Sequence, residues 1–331
     1  MNGLLIIIIL LLILAILGVC AWLLKTKNAP QKKKSALPAA KDKEKKEKER
    51  KPATEIIRLD LQSRLTGALK ERFDQIHVES FEGAGFVASA LDRKKNQKVT
   101  IKALNPDSAS DPQALKLFSA EMEAIQRINH PNVIRIFEVE NKNPGMLYYV
   151  SEFLEGTTLE NLLQKEGKLP LKRAFSIANE ILKALVHLHN NKIVHRDIRP
   201  NNVFVTNKDV VKLIHFGIVK VLTSKGEELK SSTVIGTTDF ASPEQMQGLT
   251  ITGKSDVYSL GVCLYHMLSG QFPYPGLVAA LDPAAKPIDL KTLCPDLPED
   301  FLQALSPALE KNPDKRPTSM DWWKTLHFLK I

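Results

Sequence analysis

One stretch of this chain combines residue types that could handle a proton and a metal ion: Ile193-Val194-His195-Arg196-Asp197-Ile198-Arg199-Pro200-Asn201-Asn202. The Asp197 carboxylate can accept or orient a hydroxyl proton. The amide oxygen of Asn202, five positions on, can take a metal. His-Arg-Asp alone is a weak signal, because an Arg beside an Asp is most often a surface pair. Chemistry at this spacing needs a loop held at both ends.

The flanking pattern supplies such supports. A helical run at 171–190 leads into the stretch, and two short β-like runs follow it, Val203-Phe204-Val205 and Val210-Val211-Lys212-Leu213-Ile214. From Phe73 onward the pattern is β, with strands expected at Ile76-His77-Val78, Phe86-Val87-Ala88 and Val99-Thr100-Ile101-Lys102. A helical run from Leu115 to Ile128 carries Glu121 in its middle, and further strands are expected at 133–139 and 147–153. Helices are expected at 159–165, 171–190, 255–269, 299–310 and 318–329. The fold class is α+β, a β-rich front at about 73–153 joined to a helical back at about 154–331, without internal repeats.

The 331 residues suffice for one large domain or two lobes plus extras. Cys20, Cys263 and Cys294 are far apart and lack His partners at ligand spacing, which argues against a disulfide framework or a zinc site and for a reducing compartment. The formal net charge is +9, but its location matters. Residues 25–51 hold twelve Lys/Arg and four Asp/Glu, whereas the remainder holds 34 basic and 33 acidic residues. The basic balance belongs to one linker, so the large domain offers no overall excess for nucleic acid.

Gly3 to Leu24 is an uncharged run rich in Leu and Ile. As a helix it spans roughly 33 Å, enough for a bilayer core of about 30 Å. A cleaved signal peptide is the alternative; the missing basic n-region and the length of the run weigh against it. The neighbouring Lys and Arg all follow the helix, so the expected topology is single-pass with the domain facing the cytoplasm. Residues 25–72 form a charged juxtamembrane linker, read either as solvated chain or as an electrostatic contact with anionic lipid. Ile56, Leu59, Leu65 and Leu69 near its end have helical spacing, which predicts a short helix docked on the domain or a partner.

With Asn202 in register behind His195-Arg196-Asp197 and hydrophobic strands on the far side, the central stretch resembles the catalytic loop of protein kinases. The resemblance runs from about 73 to 331 and implies a bilobal fold. It implies that Lys102 closes the third strand as the lysine that meets ATP phosphates, with Glu121 on the next helix holding it, in register with His130-Pro131-Asn132-Val133. Arg199 stands where Ser/Thr-type members usually carry a lysine that contacts the transferred phosphate. It keeps the charge and adds bidentate capacity. Asp256 in Asp256-Val257-Tyr258-Ser259-Leu260-Gly261 is implied to brace the catalytic-loop backbone, and Arg316 to pair with Glu244. Gly217 to Glu244 is similar to the activation segment, with Thr237 matching the threonine that bridges the catalytic aspartate. Ser231, Ser232 and Thr233 are candidate phosphorylation sites facing Arg196, or else part of an unmodified loop.

The departures are as informative as the matches. Counted back from Val87, the three positions of the glycine-rich loop are Ser80, Glu82 and Gly85; a shifted register would use Gly83 and Gly85. Glycine matters there because backbone N–H groups must approach phosphate oxygens closely. The nucleotide slot is reshaped by Thr100 over the adenine, by Ser151 as gatekeeper before the hinge-like Glu152-Phe153-Leu154, and by Phe204 as floor. His215-Phe216-Gly217 replaces Asp-Phe-Gly, which leaves Asn202 as the remaining metal ligand. Imidazole is a poor ligand for Mg²⁺, which prefers hard oxygen donors; Mn²⁺ is the alternative ion if the site takes a metal at all. The lost charge is worth a drop on the order of 10²–10⁴ in phosphoryl transfer.

The expected function is therefore a membrane-tethered pseudokinase that serves signalling as a scaffold or allosteric partner, with weak or metal-independent ATP binding. The alternative is an active Ser/Thr kinase, of low or unconventional metal dependence, acting on a protein substrate. Retention of Asp197, Lys102, Glu121 and Asn202 supports the alternative.

Overall fold

Alternating apolar residues from Phe73 onward build the first layer. The structure, a computed structural model, describes residues 69–82, 85–104, 122, 125–143, 146–214 and 239–331. The expected membrane helix at 3–24 and the linker up to residue 68 lie outside the described residues. So do Glu121, Gly83, His215 and the segment up to residue 238. Among the described residues no helix is long and apolar enough to cross a membrane.

Five antiparallel strands form the front lobe: β1 (Phe73–Glu82), β2 (Gly85–Asp92), β3 (Gln97–Leu104), β4 (Ile136–Asn143) and β5 (Met146–Glu152). Their spatial order is β1-β2-β3-β5-β4. The two faces of this sheet differ. Val78, Ala88, Val99, Ile101 and Val150 are fully buried and share one apolar cluster with Leu69 and Phe73. On the other face Leu147 and Tyr149 pack with Ile136, Met122 and Ile125. The side-chain period of two places Thr100 and Lys102, both half-buried, on that second face. The register pairs Lys102 with Val87 on one side and Tyr149 on the other, and Thr100 with Ser151.

The expected strand at 133–139 is displaced. The turn at Pro131-Asn132 precedes it, Val133 forms only an isolated parallel bridge to Leu213, and β4 begins at Ile136.

A second, three-stranded sheet joins β6 (Gly156–Thr158), β7 (Val203–Thr206) and β8 (Val211–Leu213). Gly156 has φ 152°, and a Cβ there would sit 2.2 Å from the Val205 carbonyl oxygen and 2.9 Å from the Phe204 ring, so the contact requires glycine.

Eight α-helices are described: α1 (Leu159–Glu166), α2 (Leu171–Asn190), α3 (Pro243–Met246), α4 (Gly253–Ser269), α5 (Gly276–Leu281), α6 (Leu290–Leu293), α7 (Glu299–Leu305) and α8 (Ser319–His327). Helix α2 buries Ala174, Ile177, Ala178, Ile181, Leu182 and Leu185 along one stripe, which packs against α4 and α8. Helix α4 is buried almost all round, as a central helix should be. It begins at Gly253, two residues earlier than expected, because Thr252 caps it. The expected helix at 299–310 ends as α-helix at Leu305 and continues as a 3-10 turn over Ser306–Leu309, where Pro307 cannot donate to the ladder. Strand β6 and helices α3, α5 and α6 were not foreseen.

Candidate active site

The stretch from Ile193 to Asn202 is the loop between α2 and β7, and Asp256 of α4 holds it from beneath. The Asp256 carboxylate is 1% exposed and accepts the backbone N–H of His195 and of Arg196, both at 2.8 Å. This is the bracing the resemblance implied. Arg196 has φ 68°, a left-handed conformation costing about 1–2 kcal/mol for a residue with a Cβ. The two charge-assisted bonds offset that cost, at about 1.5–3 kcal/mol each. His189 adds a third contact, its Nε2 lying 2.9 Å from Asp256 while Nδ1 lies 2.8 Å from the Ser319 hydroxyl. A Cβ on Gly253 would come within 2.7 Å of the His189 ring, so glycine at the start of α4 is what lets the ring reach Asp256.

Within the loop, the Asn202 amide nitrogen donates to the Asp197 backbone carbonyl at 2.8 Å and to its carboxylate at 2.7 Å. Arg199 Nε stands 3.4 Å from the same carboxylate oxygen. Asn202 is buried, while Asp197 and Arg199 are half-buried. Asp197, Arg199 and Asn202 are thus brought together on one loop.

The far end of the loop is anchored through His130-Pro131-Asn132-Val133. The Asn132 side chain donates to Glu180 on α2 at 2.9 Å and to the Val211 carbonyl at 2.8 Å, and Glu180 also accepts the Val211 N–H at 2.9 Å. Ile214 N–H then donates to the Asn202 carbonyl at 2.9 Å. The chain therefore leaves β8 beside Asn202, with His215 as the next residue.

On the sheet side, Val87, Thr100, Lys102 and Ser151 share the second face of the front sheet through their cross-strand pairing. Ser151 is fully buried and its hydroxyl lies 3.4 Å from the Thr100 carbonyl. Glu152 is engaged: its carboxylate accepts the Arg135 N–H at 2.8 Å and pairs with Lys212 on β8 at 2.6 Å. Leu154 and Phe204 are half-buried. Ser80 lies within β1 opposite Val87, and Glu82 faces Gly85 across the hairpin, leaving a two-residue connection at Gly83-Ala84. The Lys102–Glu121 partnership involves a residue outside the described set.

The donor chemistry suits Mg²⁺ poorly. The Asp197 carboxylate already accepts from Asn202 and faces Arg199, and the next residue in the chain after Ile214 is an imidazole. A hard divalent ion needs several oxygen donors in near-octahedral array. On the sheet side, Val87 is buried and Thr100 and Lys102 are half-buried on one face.

One positioning residue escaped sequence reasoning. Gln245 on α3 donates to the Arg196 carbonyl at 2.8 Å, one residue before Asp197. Its side-chain oxygen accepts from the Ser242 N–H at 3.0 Å. The signal was present, since Ser242-Pro243-Glu244-Gln245 has capping-box spacing with proline in the first turn. Glu244 beside it accepts from Arg316 at 2.6 and 2.8 Å and from the Ser255 hydroxyl at 2.6 Å. Burial alone would raise the Glu244 carboxyl, but Arg316 and Ser255 outweigh it and hold the group below the usual carboxylate range. Cys263, under the loop, is fully buried, and desolvation pushes its thiol well above the ordinary value.

Residues 82–328 match the family model for the protein kinase domain. The chain is 32% identical over 256 residues to the serine/threonine-protein kinase PknB of Mycolicibacterium smegmatis, covering 75% of this chain and 41% of that protein. It is equally 32% identical over 252 residues to a probable serine/threonine-protein kinase of Clostridium perfringens, covering 75% of this chain and 36% of the relative. The chain thus spans about two-fifths of the length of the curated relatives it matches. Among solved structures, the Mycobacterium tuberculosis PknI kinase domain superposes with a TM-score of 0.61 at 22% identity, over 77% of this chain and 96% of that one.

Proposed function

We infer the role of this chain from one premise: it belongs to the protein kinase domain family, of the Ser/Thr type. We propose that it is a membrane-tethered pseudokinase, binding ATP weakly and without a metal requirement, and acting in signalling as a scaffold or allosteric partner of another protein. In this reading residues 3–24 span the membrane, 25–72 form the basic juxtamembrane linker, and the domain at 73–331 faces the cytoplasm. Lys102, held by Glu121, meets the phosphates. The base lies between Val87, Thr100 and Phe204, beside Ser151, Glu152 and Leu154, under the loop of Ser80, Glu82, Gly83 and Gly85.

The observation that carries the proposal is His215 directly after Ile214, where the chain leaves β8 against Asn202. A neutral ring nitrogen there leaves Asn202 as the one oxygen ligand of the family pair. The competing reading, a Ser/Thr kinase of unconventional metal dependence that phosphorylates a protein, is favoured by the assembled Asp197–Asn202 pair.

Radiolabelled phosphoryl transfer by the purified chain, beside Asp197→Asn, separates the two. The proposal expects no label above the Asp197→Asn background with Mg²⁺ or Mn²⁺. Label that vanishes in that variant would overturn it and establish the enzyme.

A further inference from the structure

The outer face of the front sheet, turned away from Met122 and Ile125, is buried more completely than its described neighbours explain. Val78, Ala88, Val99, Ile101 and Val150 on that face are 0% exposed. Every described member of their cluster comes from the five strands, with the exception of Leu69. A single sheet cannot keep both faces dry by itself; each needs a second layer. Met122 and Ile125 contribute to one for the opposite face. The outer face is roughly 19 Å wide, five strands at about 4.8 Å spacing, which is too much for one leucine side chain to cover.

Leu69 shows where the second layer comes from. It is helical and is followed at once by a turn, its carbonyl accepting the Arg72 N–H at 3.0 Å. A residue in that state is the last of a helix whose turns lie before it. Counted back from Leu69, the residues Leu65, Leu61 and Ile57 recur every four positions with Ala68 beside them, an apolar stripe at helical spacing. Ser63 falls on the opposite side of such a helix. The thirteen residues from Ile57 to Leu69 make a helix about 20 Å long, which matches the width of the sheet. The compact unit that holds both lobes starts at Asp60, ahead of the first strand.

The chain is pinned where it leaves this segment. Arg72 donates to the Asp92 carboxylate at 2.7 Å, pairs with Glu138 of β4, and lies 4.7 Å from the Phe73 ring centroid. Asp92 is 0% exposed and also accepts the Lys94 N–H at 2.9 Å. The Arg72 carbonyl accepts the Arg93 N–H at 3.0 Å. The chain therefore meets the sheet at a fixed point beside the buried face. Among the described residues no large apolar side chain of the front lobe is exposed, so no bare patch is left there for a second copy.

We propose that residues 57–69 dock on the outer face of the front sheet as an amphipathic helix, with Leu61 and Leu65 joining Leu69 over the strands. The front lobe then begins near Ile57 instead of Phe73, and the charged linker shortens to 25–56. The face is closed to other partners, so any protein that binds the front lobe must use another surface. The inference holds whether or not phosphate is transferred.

Hydrogen exchange on the full chain in lipid nanodiscs tests it. Amides at 61–69 should exchange at least about a hundredfold more slowly than those at 41–51, with the α4 amides checking that each variant is folded. Leu65→Asp should cut that protection at least about tenfold and lower the melting temperature. Ser63→Asp, the same charge on the other side of the helix, should leave both unchanged. Where Leu65→Asp does not fold, Leu65→Ala gives the milder form of the same loss. Exchange at 61–69 as fast as at 41–51, or equal effects of the two aspartates, would overturn the proposal. A photo-reactive p-benzoylphenylalanine at position 65, in a mixture of heavy-nitrogen and ordinary chains, identifies the occupant. Links to the front sheet within one isotope support docking in the same chain. Links that mix isotopes would assign the face to a second copy and overturn it.

Discussion

The loop carrying Asp197 and the sheet face carrying Lys102 are held in different ways. The loop is fixed by buried polar groups with several partners each: Asp256 takes two backbone N–H groups and His189, and Asn202 takes both the carbonyl and the carboxylate of Asp197. The sheet face is fixed by strand pairing, which constrains where Thr100, Lys102 and Val87 sit and leaves their identities free. Residues on the loop side are therefore retained for folding even if the chemistry lapses. Strand pairing on the sheet side sets position without requiring a particular side chain.

The largest test of this contrast is Arg316→Ala. It strands Glu244, 4% exposed, as a buried charge and removes donors from the Glu310, Lys311 and Lys254 carbonyls. We expect a loss of about 3–5 kcal/mol in denaturant unfolding. A loss below about 1 kcal/mol, the range of a surface pair, would mean that the polar frame of the helical lobe is not what fixes the loop.

Next in size is His215→Asp, which restores a carboxylate on the variable side. Metal-dependent nucleotide affinity should rise at least about tenfold, read as an ATP shift in melting temperature with Mg²⁺ beyond that with EDTA. In the parent chain the two shifts should be equal. A large Mg²⁺-dependent shift in the parent would break the comparison. No gain in the variant would place the block elsewhere, with Glu82 the first candidate.

The smallest effect is on acid stability. Burial tends to raise the carboxyl of Asp92, but its bonds to Arg72 and to the Lys94 and Lys95 N–H groups outweigh this and hold it below the usual range. Glu244 is held low in the same sense. A depressed carboxyl contributes stability that is present above its unfolded value and lost as pH falls through its folded value. Asp92 belongs to the sheet lobe and Glu244 to the helical lobe. Titrating stability downward from neutral pH should therefore give a shallower acid loss in Arg316→Ala than in the parent, with the Asp92 share remaining. Identical slopes would show that Glu244 contributes nothing to the acid limb.

Long periodic elements were legible in the sequence. The stripe from Ala174 to Leu188 named α2 to the residue, and the β-branched run at Val99–Lys102 lies inside β3. Short elements were not: β6, α3, α5 and α6 have three to six residues, too few for a period to register. Such pieces exist because tertiary partners hold them, as Lys311 holds α5 by donating to its Ala279 carbonyl. Val133 misled because a β-branched residue after a turn reads as the start of a strand, while its real partner, Leu213, is far away in sequence. The placing of Asp197 and Asn202 on one loop was legible from their spacing, but the bond between them was not, since the amide was read as a metal ligand through its oxygen. The grip of Gln245 on the Arg196 carbonyl was not legible, because it joins α3 to a loop that only the fold brings beside it.

The clamp of Asp256 on two successive amides has a mechanical corollary. It welds the backbone of the two residues before Asp197 to the most deeply enclosed rod of the molecule, so that stretch of backbone cannot be shifted without dragging the rod through its packing. A binding protein that switches this molecule on or off is thereby denied the simplest lever, and must act on whatever is brought up to face Asp197.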